Sequence, residues 1–292
     1  MQIIKNKFAS PSVLYNQFSI AGSDGIKAHL MSDAASVLDK MVEHHKCLGA
    51  TMTIPFASFV RFAREDNKYM NEFANTALDA KKHFHKNDIQ LVLQAINGDY
   101  IEWEDVAKDA ANKLEVDAQG KAFFTNQTRD ADDQHEYNSL NPLEVKKAIE
   151  GRIGEWRKVT SKIALRFLKL DCLNFRITDW EDEIWKIDFE NNSFSKVSSS
   201  DFDISIASQP LFQAFQLPFG IQTLGVSGRY SFSDRFDDVP TTWKKVRVLS
   251  SLYNAEIYLN PKSIFSSQFM GWVWSRRKGL IAQIFQQFKR FR

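Results

Sequence analysis

Cysteine is nearly absent from this chain. Cys47 and Cys172 stand far apart and form no CxxC pattern, which excludes a disulfide-stapled scaffold and a thiolate metal ribbon. Both are expected to be buried small hydrophobes in a reducing compartment. Long apolar runs are missing too: no stretch approaches the roughly 18 apolar residues of a membrane span, and MQIIKNKFAS has no apolar signal core. A cytoplasmic protein is the expectation, in which the sequon at Asn126 has no role. Nor is there an excess of one charge. With 38 Lys and Arg against 36 Asp and Glu, the net charge is +2, which points to no nucleic-acid partner and no funnel for acidic substrates.

Familiar catalytic signatures are lacking as well. The chain has no GxxxxGK[ST] and no strand-linked GxGxxG, and GVSGR at Gly225–Arg229 is not the GxSxG of a nucleophile elbow. No HxxxH occurs. His83 and His85 sit late in a predicted helix, where positions i and i+2 point to different sides. With His44 and His45 they read as solvated basic helix ends, which suits the helix dipole. The acidic run DWEDE, Asp179–Glu183, reads as a solvated hairpin turn rather than a catalytic carboxylate pair.

What is present is apolar residue, 43% of the chain, with 24 phenylalanines, enough for one large core or two ordinary ones. Ser12–Ile20 has strand composition, and Lys27–Cys47 has helical periodicity stopped by Gly49. Ala50–Phe56 reads as a strand, Asn67–His85 as a helix, and Ile89–Ile96 as a buried strand. A short strand at Tyr100–Trp103 completes an α/β layering over residues 1–110. Residues 111–168 form a helical connector with a polar loop at 125–139; Asn141-Pro142 opens its long helix, through about Leu168, with Val145, Ile149, Ile153, Trp156 and Ile163 on one face. From 169 to 292 the pattern is α+β. CLNFRITDW, EIWKIDFENNSFSKVS and DFDISIAS alternate as an antiparallel meander, QPLFQAFQ is a short helix, TLGVSGRYSF a returning strand, and the tail from Thr241 mostly helical.

One stretch, TIPFASFVRFAREDNKYMNEFANTALDA (Thr53–Ala80), is too polar for a plain core and too aromatic for a plain surface. Asn67, Asn71, Asn75 and Asp79 recur every fourth residue, which would line them along one helix face, with Asp66 capping its start. Two readings stand for such a row of amides. It can present donors and acceptors to a polar ligand, or it can satisfy the buried backbone of neighbouring loops.

Tyr15–Gly22 (YNQFSIAG), the helix after it, and Ile54–Asn75 (IPFASFVRFAREDNKYMNEFAN) together resemble the C-terminal part of metallo-β-lactamase-fold proteins. The branch in question is similar to the hydrolase-like domain of CMP-N-acetylneuraminate hydroxylase. The likeness covers roughly residues 10–105 and rests on Gln17-Phe18-Ser19, Pro55–Phe59, Asn67, Tyr69-Met70-Asn71 and Asn75, with Asp66 in place of the usual Glu. It implies a cleft faced by Gln17, Ser58, Asn67, Tyr69, Asn71 and Asn75. Zinc or iron is implied for the full-length family, yet the chain has no HxHxDH, and Pro55 or Phe56 stands where many members carry a late ligand His. No metal ligand carries over, so no cofactor is expected on this chain alone. The region from Leu170 to Phe232 resembles the C-terminal extension of the same proteins and, more loosely, sterol-carrier-protein-like modules.

The last residues, Ser275–Arg292, carry Arg276, Arg277, Lys278, Lys289, Arg290 and Arg292 and no acid, with Ile281, Ile284, Phe285 and Phe288 on one face. Such a helix can dock on the domain with its basic side in water, or lie peripherally on an anionic membrane or partner surface. The sequence thus leads to a truncated or split metallo-hydrolase-like protein without metal-dependent activity of its own. An N-terminal metal-binding half or an oligomer partner would complete it. The alternative is a non-catalytic module that binds an apolar ligand or an anionic membrane through its C-terminal domain and tail.

Overall fold

The computed structural model describes residues 13–56, 62–89 and 138–260, together with 271 and 274. The predicted strands beyond Ile89, the helix after Trp103, most of the polar loop, Ser58 and the basic tail lie outside the described residues. The described chain is mixed α and β, in two compact units. One takes residues 1–137 and 225–237, the other 138–224 and 238–292.

In the first unit, strand β1 (Val13–Gln17) pairs in parallel with β2 (Met52–Phe56), with Tyr15 opposite Ile54. Parallel neighbours need a crossover, and helix α1 (Leu30–Leu48) supplies it after a 3-10 turn at Lys27–His29. Leu30, Ala34, Leu38, Met41 and Val42 form its buried stripe. Gly49 ends it in the left-handed region at φ 64°, its N–H returning to the carbonyls of His45 and Lys46.

The helix expected over Asn67–His85 is instead two pieces. A 3-10 turn spans Lys68–Glu72, and helix α2 runs over Ala77–Lys86. The reason is local: asparagine side chains compete with the helix for backbone partners, and Thr76 with Asp79 builds a capping box that starts a fresh helix. Phe18, Leu38, Met41, Ala77, Ala80 and Phe84 form one core cluster, and Ile20, Leu30, Ala34, Phe62 and Met70 a second.

In the second unit, Asn141 caps helix α3 (Pro142–Val159) by accepting from the Leu143 N–H at 2.8 Å, with Pro142 in the first turn. Val145, Ile149, Ile153 and Trp156 are buried as the periodicity predicts. The helix does not continue to Leu168. Thr160 is extended, and Ser161 caps a new helix, α4 (Lys162–Leu168), accepting from Ala164 at 3.1 Å. Ile163 therefore leaves the apolar face and is 68% exposed.

Strands β3 (Leu173–Ile177), β4 (Glu183–Asp188) and β5 (Ser193–Lys196) form the antiparallel meander. Strand β6 (Ile204–Ile206) departs from expectation by pairing in parallel with β3, Phe175 opposite Ile204. All three of its residues are buried, so it lacks the open face of an antiparallel edge. Helix α5 (Ser208–Gln216) follows as expected. The segment read as a returning strand is helix α6 (Gly220–Ser227), and only Tyr230–Phe232 is strand, β7, within the first unit. Helix α7 (Thr241–Asn254) buries Trp243, Val246 and Leu249. No helix among the described residues is long and apolar enough to cross a membrane.

Candidate functional site

The asparagines of Thr53–Ala80 do not share a helix face; each clasps backbone. Asn67 Oδ1 accepts from the Arg64 N–H at 3.0 Å, and its Nδ2 donates to the Ser227 carbonyl at 2.8 Å. Asn71 closes on both backbone groups of Phe62: Oδ1 accepts from its N–H at 2.9 Å and Nδ2 donates to its carbonyl at 2.7 Å. It also donates to the Lys68 carbonyl at 2.9 Å. Asn75 Nδ2 donates to Phe18 O at 3.0 Å and Ala34 O at 2.7 Å, tying the end of β1 to α1. Gln17 donates to the Ser19 carbonyl at 2.8 Å. These amides supply partners to backbone groups, because a buried backbone group without a partner is costly.

Asp66 and Asp79 have other partners. Asp66 accepts from Arg229 Nε at 3.2 Å in a largely buried pair. Asp79 forms the capping box of α2, accepting from the Thr76 N–H at 2.9 Å. Tyr69 differs from the asparagines. Lys27 Nζ stands 5.0 Å from the centre of its ring. Its hydroxyl is enclosed with no hydrogen-bond partner among the described residues. Burial first, then the carboxylates of Asp66 and Asp24, push its pKa above the usual tyrosine value.

His85 is an exposed helix end as expected, whereas His44, His45 and His83 are half-buried and engaged. His44 Nδ1 accepts from the Asn16 amide at 3.1 Å on β1, while His45 Nδ1 lies 3.0 Å from Thr53 Oγ1 on β2. Burial lowers the His45 pKa, and Lys46 adds to that. His83 Nε2 lies 3.0 Å from Asp39 Oδ1. Among the described residues no three His, Cys, Asp or Glu side chains could hold a common ion. The zinc or iron of the resembled family therefore finds no fitting donor set among them.

In the second unit the acidic turn is structural. Asp179 accepts from the Ser208 N–H at 2.7 Å and from its Oγ at 2.5 Å, fixing the start of α5. Glu183 pairs with Lys196 and accepts from Trp185 Nε1 at 3.0 Å, contacts that hold its carboxyl below its usual pKa. Both cysteines are exposed, correcting their expected burial. Ser58, Arg276, Arg277, Lys278, Lys289, Arg290 and Arg292 lie outside the described residues.

Sequence reasoning missed the segment 225–237. It returns to the first unit and receives the Asn67 amide, the Asp66 carboxylate and Gly22. A Cβ on Gly22 would stand 2.5 Å from the Gly225 carbonyl oxygen, so only glycine allows this approach. The signal available was the density of glycine in the two stretches, at Gly22 and Gly25 and at Gly225 and Gly228. Comparison of the chain with family models, with curated proteins and with solved structures gives no match in any of the three.

Proposed function

We propose that residues 13–89 are the metal-poor half of a metallo-β-lactamase-like sandwich, and that the second unit is its α+β C-terminal extension. On this reading the ion and its ligands belong to a half bearing HxHxDH, carried on another polypeptide or on another stretch of the same one. The observation that carries it is the β1–α1–β2 crossover with the Asn67–Asn75 stretch clasped onto it, the succession on which the resemblance rests. The chemistry of the asparagines supports a supporting wall rather than a reacting one, since their donors are spent on Phe18, Ala34, Phe62, Lys68 and Ser227 carbonyls. Tyr69 has an enclosed hydroxyl with no hydrogen-bond partner among the described residues, a polar atom left for a partner group.

Elemental analysis of the purified 292-residue chain, after exposure to zinc or ferrous iron and exhaustive dialysis, tests this directly. No retained stoichiometric metal is expected. One equivalent held tightly would overturn the assignment of the ion to another half.

A further inference from the structure

Segment 225–237 is stitched to the loop 22–29 at successive points within the first unit. The Ser23 N–H donates to the Gly225 carbonyl at 3.0 Å, the Tyr230 hydroxyl to the Asp24 carbonyl at 3.0 Å, and the Phe232 N–H to the Gly25 carbonyl at 2.8 Å. The last stitch is His29. Its Nδ1 lies 2.9 Å from Asp24 Oδ2, and its Nε2 lies 2.9 Å from the Asp237 carbonyl oxygen.

Both of those neighbours are acceptors with no proton to give. A neutral imidazole has a single N–H and can serve one of them; the imidazolium serves both. We infer that His29 is a proton-operated latch that closes the Asp237 end of segment 225–237 onto the loop 22–29. When the proton leaves, the remaining N–H stays with the carboxylate, the stronger acceptor. The bare Nε2 then faces the Asp237 carbonyl, lone pair against lone pair, and that end of the segment is released.

The surroundings favour the charged form. Asp24 faces the ring from the loop, its Oδ1 fixed by the Ile26 N–H at 2.9 Å, and Asp33 adds negative charge from the first turn of α1. Segment 225–237 contributes the Asp237 carbonyl. The nearby cation on the same turn, Lys27, is drawn to the Tyr69 ring. The hydrogen bond to Asp24 is the largest influence and raises the His29 pKa against a smaller opposing effect of burial. A raised value in the folded state means the latch is complete below about pH 6.5 and is lost as pH rises through the raised value.

Amide exchange of Phe232, followed by NMR from about pH 5 to about pH 9 and corrected for intrinsic exchange, reads the latch while the imidazole of His29 is titrated in the same samples. Protection is expected to fall in step with deprotonation, about tenfold for each unit by which His29 titrates above its free value. His29→Gln should remove the step with the fold intact by circular dichroism. Asp24→Asn, which keeps an acceptor for the Ile26 N–H, should move it to lower pH. Protection that stays flat in the native chain, a step that survives His29→Gln, or one unmoved by Asp24→Asn would overturn the inference.

Discussion

The two units are held together by different means. In the second, coherence lies in a strand ladder and in aromatic side chains packed on it. Trp185 stacks on Phe194 at 4.9 Å, Phe175 meets Trp243 at 6.3 Å, and Trp156 meets Phe215 at 6.0 Å. In the first, the described ladder is two strands of five residues. The turns around it are tied by side-chain amides and by a glycine that lets two backbones touch. Apolar packing is spread over many atoms, each contributing little. An amide clasp concentrates its contribution in two or three directional bonds, and its loss strands the groups it served. The second unit should therefore yield chiefly to cavities, whereas the turns of the first, over its own apolar clusters, should also yield to removal of single polar atoms.

The largest test of that contrast is Trp243→Ala. Trp243 is 1% exposed, and deleting a buried Trp side chain costs about 3–5 kcal/mol. Urea unfolding with residue-resolved hydrogen exchange should show faster exchange across β3 and β4. If the first unit loses as much protection, the division between the two modes fails.

Asn75→Ala is the matching test in the first unit. It leaves the Phe18 and Ala34 carbonyls without this donor and should cost about 1–3 kcal/mol. Exchange should quicken in α1 and α2 and stay unchanged in β3. An Asn75→Ala protein with native protection in α1 would show that the clasp only decorates the turn.

The smallest effect is in pH. Burial holds the His45 pKa down, so its contribution is present above about pH 6.5 and is lost as pH falls through the lowered value. His29 has the opposite sign. The urea midpoint of His45→Gln should decline less on the acid side than that of the native chain. An unchanged acid limb would remove His45 from the account.

Regular elements were the legible part of this sequence. The apolar periodicity of Leu30, Ala34, Val37, Leu38, Met41 and Val42 fixed α1, Gly49 its end, and the alternation in Leu173–Ile177 and Glu183–Asp188 the hairpin. The misreadings have a common cause. Asn67, Asn71 and Asn75 have helical spacing, yet Asn67 and Asn75 bond to Ser227 and Phe18 backbone too distant in the chain for spacing to register. Likewise Ile163 extends the periodicity of α3, but Ser161 restarts the helix and turns it outward. Of the candidate site, the sequence singled out Asn67, Tyr69, Asn71 and Asn75 as facing a cleft. It left open two uses for the amides, and the structure selects the backbone-satisfying one.

By itself the sequence determined α1, the start of α3 and the β3–β4 hairpin, because periodicity, caps and turn residues act within a few positions. Only the tertiary structure decided what the polar residues are for. Parallel pairing of β6 with β3, the return of 225–237 to the first unit, and the meeting of His29 with the Asp237 carbonyl join residues up to 208 positions apart. Hydrogen bonds over such separations leave no period in the sequence.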